Sequence, residues 1–225
     1  MSTRFVFRCA TKADLPTIRR LCIEGVIRRE PTCSYLGLSA DIFVTLYDEL
    51  MRQINFNASI VAEEITLEHP QGRIVGCMMA TPFDSPMEEK NIDPQCAPVM
   101  EILHSLEVWF KETILQKEDV PPSRVLNAVL AATEEGYTGK GLLNRMIDHW
   151  NACAVNDGKW DMTVAECTSP FSRRGGISKG WKEGKVIVYK GFTSINGQKP
   201  FAGLDGEAAM LYRDLRPLKT PKARL

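Results

Sequence analysis

Apolar residues along this chain recur at two spacings, and the spacing separates strands from helices. Phe5, Val6 and Phe7 open a short strand that runs to Cys9. Leu15, Ile18, Cys22 and Val26 then follow at helical spacing, with Arg19, Arg20 and Glu24 on another face. Pro16 is tolerated only in a first helical turn, which favours Asp14 as the cap. Pro31 disfavours helical geometry in the residue before it, so this helix ends near Arg29 or Glu30. Glu30 is thereby a carboxylate at a helix-to-loop corner. Ser39 caps a second helix with a stripe of Ile42, Phe43, Leu46, Leu50 and Ile54. Residues 59–63 and 73–80 read as strands, and the turn-forming Pro70, Gln71 and Gly72 between them predict a hairpin.

Four prolines (82, 86, 94 and 98) make residues 81–98 an irregular connection, and a third helix over 99–116 is built on Leu103, Leu106, Phe110 and Ile114. The stretch at 125–133 is nearly all apolar and reads as a buried strand, ahead of a glycine-bearing turn and an amphipathic helix that starts in the turn. Further strands fall at 161–167, 185–189 and 207–213. A turn over 168–176 leads into a short helical segment ending at Gly180, where glycines weaken the helix. The tail from about 217 is basic, proline-bearing and expected to be loose. With no internal repeat and no low-complexity linker, one mixed α/β domain spanning residues 1–225 is the economical count.

Composition narrows the function classes. Lys plus Arg equals Asp plus Glu at 28 each, so no global field draws the protein to nucleic acid or a membrane. Phosphate recognition, if present, is local. No run of the sequence has the length of a signal peptide or a membrane span. Seven scattered cysteines without Cys-x-x-Cys spacing argue against a disulfide scaffold and a zinc site, and suit core-filling thiols in the reducing cytoplasm. The three histidines are far apart, so no metal is expected.

The helix that opens on Gly139, Lys140 and Gly141 presents free backbone N–H groups and a positive dipole end, which suits a phosphate. It is not a P-loop. Glu134 stands where the first glycine belongs, and Gly141 where the magnesium-binding hydroxyl belongs. Nor is it a dinucleotide fingerprint, because Gly136, Gly139 and Gly141 have the wrong spacing. What remains is a shorter turn, Tyr137 to Leu143.

That turn resembles the acetyl-CoA signature of the GCN5-related N-acetyltransferase superfamily, Arg/Gln-x-x-Gly-x-Gly/Ala. Thr138 takes the arginine place, Gly141 that of the central glycine, and Leu143 that of the last small residue. The order of elements also resembles the superfamily's over nearly the whole chain. The resemblance implies a central, mostly antiparallel sheet of about seven strands, flanked by helices. The strands at 125–133 and 161–167 would splay apart, with the pantetheine arm of acetyl-CoA pairing along the first. Val129, Leu130, Ala131, Thr138, Gly139, Lys140, Gly141 and Leu142 would then contact the cofactor. Within the superfamily the chain is most similar to insect-type arylalkylamine (dopamine) N-acetyltransferases. Arg29-Glu30-Pro31-Thr32 stands at their Asp-Glu-Pro-Leu, and Cys167 to Arg174 at their Cys-Ser-Ser-His-Tyr-Ser-Ala-Arg. This implies Glu30 as the catalytic glutamate and Thr168 and Ser172 as the functional hydroxyls. Pro170 and Phe171 replace the family's His and Tyr.

The implied reaction is acetyl transfer from acetyl-CoA to the primary amine of a small molecule, by direct attack in a ternary complex. The first substrates to consider are dopamine, tyramine, octopamine and serotonin. An alkylamine with a pKa near about 10 must lose a proton before it attacks, and a positioned carboxylate such as Glu30 can take it. Ser172 could hydrogen-bond the departing thiolate. N–H groups of the strand at 125–133 could stabilise an oxyanion by roughly 3 kcal/mol per donor. Glu166 could face the cleft as a rival base or face solvent. His104 reads as a surface histidine and Cys167 as core filler. Phe43, Tyr47, Trp109 and Phe110 either line an aromatic-amine pocket or pack the core. Arg173 and Arg174 either touch a cofactor phosphate or form a solvated corner. The alternatives to an arylalkylamine are a polyamine or aliphatic amine, or a non-catalytic acyl-CoA-binding protein.

Overall fold

The expected strands join one sheet. Arg4–Cys9 (β1), Ile60–Ile65 (β2), Arg73–Pro82 (β3), Val125–Thr133 (β4), Met162–Cys167 (β5), Lys182–Val188 (β6) and Glu207–Asp214 (β7) lie in the order β1-β2-β3-β4-β5-β7-β6. This is a computed structural model, and it describes residues 4–218. Neighbouring strands run antiparallel, except for β4 and β5, which are parallel. A parallel pair needs a crossover, and the helix Leu142–Asp157 supplies it. In chain order the helices are Leu15–Arg29 (α1), Pro31–Tyr35 (α2), Ala40–Met51 (α3), Ala97–Trp109 (α4), that crossover (α5) and Pro170–Ser178 (α6). The helix α4 continues through a π-helical turn at Phe110–Leu115.

Period-two alternation in β2 and β3 feeds both faces of the sheet. Val61, Cys77 and Met79 join Ile18, Cys22, Phe43 and Leu46 beneath α1 and α3. Ala62, Met78 and Ala80 join Met146 and Trp150 of α5 on the opposite side. Both layers are needed because β3 is buried along most of its length.

The feature that positions the site is a divergence of strands. The parallel pairing of β4 with β5 covers only Val125–Asn127 against Met162–Val164. On its other edge β4 stays paired with β3 as far as Thr133. In that ladder Met79 faces Leu130 and Ala80 faces Ala128, which leaves Val129 as the extra residue of a bulge. A bulge bends its strand and increases the twist, so β4 turns away from β5.

Two local expectations change. Asp14 precedes α1, but its side chain caps nothing there; it accepts from Arg8 Nη1 at 2.7 Å and from the Thr11 backbone N–H at 2.7 Å. The Arg8 guanidinium holds the Asp14 carboxyl down to about 2. The turn expected over 168–176 is mostly helical, as α6. Of the glycines expected to weaken the segment that follows, Gly176 is buried inside α6 and Gly180 lies beyond its end. A Cβ on Gly176 would lie 2.5 Å from Leu211 Cδ1. Close packing of α6 against β7 requires a residue without a side chain there. Of the expected loose tail, Arg216–Leu218 form a short 3₁₀ turn, and the rest lies outside the described residues.

Candidate active site

The glycine-bearing turn is tied to the sheet by charge. Arg73 of β3 donates to Glu134 at 2.6 Å and to the Tyr137 hydroxyl at 2.7 Å, and that hydroxyl donates to Glu64 of β2. Gly139 and Gly141 have φ of 78° and 70°, a left-handed conformation that glycine adopts without strain. A Cβ at either position would meet nothing within 4 Å, so backbone conformation alone explains these glycines. Leu142 is buried in the core, with its backbone at the start of α5. The Lys140 ammonium lies over the Tyr137 ring, 4.3 Å from its centroid.

A cavity of about 470 Å³ runs from this turn along the open edge of β4. Val129, Leu130, Ala131 and Thr138 line it, as do Thr168 and Ser172; Gly139, Lys140, Gly141 and Leu142 do not. Beyond Asn127 the second edge of β4 is not paired by β5. An unpaired strand edge leading to a helix N-terminus fits the amide-bearing arm and the phosphates of acetyl-CoA. Those four turn residues would offer backbone N–H groups rather than side chains.

A second cavity, of about 380 Å³, opens on the other side of β4 and β5. Val26, Glu30, Val129, Leu130, Glu166 and Thr168 line both cavities, so the two meet at that wall. The second is walled by aliphatic residues from α3, α4 and the connection before α4, including Leu46, Leu50, Ile92 and Leu103. Among the polar lining are Glu89, Asp93, Glu101, His104 and Glu107. Of the four aromatic residues left between an amine pocket and the core, Phe43 lines it. Tyr47 and Phe110 are core residues, and Trp109 occupies the space over Gly184, where a Cβ would come within 2.3 Å of its ring.

Glu30 is the N-cap of α2. Its carboxylate accepts from Thr32 Oγ1 at 2.7 Å, Cys33 N at 2.7 Å and Thr32 N at 3.2 Å. Three donors occupy most of a carboxylate's acceptor sites and hold it in one orientation at the junction. Glu166 faces the cleft and not bulk solvent. Burial, reinforced by the negative field of Glu107, pushes its carboxyl up to about 8. Asn127 Nδ2 donates to it at 3.2 Å. Glu107 is itself raised by burial, an effect that Lys111 opposes.

Ser169 caps α6, its hydroxyl accepting from the Ser172 backbone N–H. Ser172 Oγ donates to the Ser169 carbonyl at 3.0 Å and lies 3.0 Å from Ser169 Oγ. Cys167 is buried, and burial pushes its thiol up to about 12, as suits core filler. His104 is exposed at the rim of the second cavity. Arg173 is paired with Glu183 and Glu207, which favours the corner over a phosphate contact. Arg174 lies over the exposed Phe171 ring at 5.2 Å. Among the described residues, no group of three His, Cys, Asp or Glu side chains is placed to hold a metal, and no helix is long and apolar enough to cross a membrane.

Sequence reasoning missed two features. One is the ring of acids on α4 and before it, which no periodicity separates from the other acids. The other is Arg29, which lines the first cavity and donates from Nη1 to Thr138 Oγ1 at 3.3 Å. It also donates from Nη2 to the Thr133 carbonyl. These contacts span more than 100 positions, and no local pattern carries them.

Compared by sequence, the chain matches no protein-family model and no curated protein. Compared by structure, it has the fold of the GCN5-related N-acetyltransferases, with the open, mostly antiparallel seven-stranded sheet. It is similar to the C-terminal condensation domain of Ebony in complex with beta-alanyl-dopamine, at a TM-score of 0.77 and 13% identity over 95% of this chain and 100% of that one. It is also similar to arylalkylamine N-acetyltransferase 2 from Aedes aegypti, at 0.72 and 18% over 95% and 100%. A third likeness is to Drosophila melanogaster polyamine N-acetyltransferase, which forms N-acetylagmatine, at 0.65 and 18% over 94% and 100%.

Proposed function

We propose that this protein transfers an acetyl group from acetyl-CoA to the primary amine of a small molecule, by direct attack in a ternary complex. The observation that carries the reading is the meeting of two cavities at Glu30, Glu166 and Thr168. One side offers the open edge of β4 and the glycine turn to a thioester-bearing chain. The other offers an apolar, acid-rimmed chamber to an amine. Glu30, held by its three donors at the junction, acts as the general base. Ser172 lines the cofactor side and donates to the departing thiolate by turning its hydroxyl from the Ser169 carbonyl. Thr168 lines both cavities and positions the reacting groups between them.

Arylalkylamines such as dopamine, tyramine, octopamine and serotonin are the first substrate class, supported by the resemblance at Glu30 and at 167–174. A second class is favoured by the chamber itself. Glu89, Asp93, Glu101 and Glu107 sit on aliphatic walls with Phe43 as the one aromatic lining residue. Such a lining suits an aliphatic amine with a second positive charge, a diamine or an amino-guanidine, because each acid can face a cation across a short apolar span.

The test is an amine panel assayed by thiol release, run alongside calorimetry with acetyl-CoA. Tight acetyl-CoA binding with turnover on at least one panel member is the expected result. Tight binding without turnover on any amine would favour a non-catalytic acyl-CoA-binding protein. Absence of binding would defeat both readings.

A further inference from the structure

We propose that Arg29, projecting from the end of α1, is the cation that holds the cofactor's pyrophosphate and substitutes across the cleft for the arginine absent at Thr138. The inference rests on the first cavity being the acetyl-CoA site.

Four observations carry it. The guanidinium is already at the turn, 3.3 Å from the Thr138 hydroxyl and bonded to the Thr133 carbonyl where β4 ends. Both partners are neutral, so its charge is uncompensated: among the described residues no carboxylate lies within ion-pair distance of Arg29. Three neighbouring arginines are paired with carboxylates, and Lys140, which like Arg29 has a neutral partner, is drawn onto a ring. Arg73 pairs with Glu64 and Glu134, Arg28 with Glu135, and Arg20 with Glu24 and Glu134. Finally, α1 keeps a glycine in its interior although glycine there costs about 1 kcal/mol against alanine. A Cβ at Gly25 would stand 3.2 Å from Arg29 Nη2 and 3.3 Å from Ala132 Cβ, so Gly25 clears the path along which the guanidinium reaches β4.

A guanidinium carries five N–H donors in a planar fork that matches phosphate oxygens. Two are used on Thr133 and Thr138, which leaves three for the ligand. The two bonds fix the fork beside the N-terminus of α5, whose free N–H groups face the same anion. Thr138 acquires a second role. Its hydroxyl is the acceptor that aims Arg29, so threonine at the signature position and arginine on α1 work as a pair.

The test measures acetyl-CoA affinity by calorimetry at low and high salt for the wild-type protein, Arg29→Gln, Arg29→Lys and the double variant Arg29→Gln/Thr138→Arg. Charged hydrogen bonds of this kind predict a loss of about tenfold to a hundredfold in Arg29→Gln, with a shallower dependence on salt. Arg29→Lys keeps the charge without the fork and should fall between. The double variant, with its arginine back at the signature position, should recover most of the affinity. Unchanged affinity in Arg29→Gln overturns the assignment. So does a loss that keeps the wild-type salt dependence and is not rescued by Thr138→Arg, because Arg29 would then only brace the Thr133 carbonyl. If the wild-type protein binds no acetyl-CoA, the cofactor reading falls first and takes this inference with it.

Discussion

Asn127 donates to the carboxylate of Glu166 at 3.2 Å from the last residue of β4 that is still in register with β5. The pair sits at the fork of the two strands, with Asn127 buried and its Oδ1 without a partner among the described residues. A raised carboxyl and an open acceptor thus stand together at the wall shared by the cavities.

Glu166 titrates in a direction that can be followed. Its carboxyl is pushed up to about 8 from an ordinary value of 4.5. Between those values the folded protein binds the proton more tightly than the unfolded chain, so this group erodes stability as pH rises. Glu166→Gln should therefore gain over the wild type as pH moves from 5 to 8.5. Thermal unfolding at the two pH values should show the advantage growing by well over about 4 °C, because each pKa unit of such a shift is worth about 1.4 kcal/mol and each kcal/mol moves the midpoint by roughly 2–4 °C in a chain this long. An advantage that shrinks with pH would contradict the raised carboxyl.

Replacing Glu30 separates chemistry from binding. Glu30→Gln should lower kcat/KM by about 10²–10⁴-fold, the usual worth of a general base, with acetyl-CoA affinity nearly unchanged. It should also cost about 1 kcal/mol of stability, because a cap of α2 is weakened. Steady-state kinetics paired with urea unfolding would read both. Full activity in a destabilised variant would leave Glu30 as a cap alone.

The acids of the second cavity should discriminate between the two proposed substrate classes. Glu101→Gln and Glu107→Gln should each raise KM for a diamine about fivefold, the worth of a partly exposed charge pair near 1 kcal/mol. KM for a monoamine such as tyramine should barely move. Equal effects on both amines would show that these acids do not face a second cation.

Gly184 is committed to packing. A Cβ there would meet Trp109 at 2.3 Å, so Gly184→Ala should destabilise the protein by about 1–3 kcal/mol through overpacking. Denaturant unfolding should show a lower midpoint with an unchanged slope. Trp109→Phe should leave any preference among amines intact, since this ring covers β6 and does not line the second cavity.

What the sequence disclosed was local. The apolar run of β4, the turn glycines and the amphipathic start of α5 follow one another directly, and Pro31 marks the corner at Glu30 without help from the rest of the chain. Helical spacing identified Phe43, Tyr47 and Phe110 as inward-facing, but not which of them meets a cavity and which the core. The bulge at Val129 left no trace, because an extra residue in one strand is defined only against its partner. That Ser169 caps α6 depends on where β5 stops, a matter of one position. Arg29 and Thr138 meet only once α1 has packed beside β4. Lys140, the nearest cation in the sequence, is drawn onto an aromatic ring instead.

The shared wall has one further consequence. Val26, Glu30, Val129, Leu130, Glu166 and Thr168 belong to both cavities, so an occupant that shifts any of them on one side reshapes the other. Such coupling is reciprocal: the factor by which one occupant changes the affinity of the second is the factor it receives in return. Under the proposed function, the thioester and the amine would therefore bind with affinities that depend on each other. The dissociation constant of each would shift with the occupancy of the other, by the same factor in both directions.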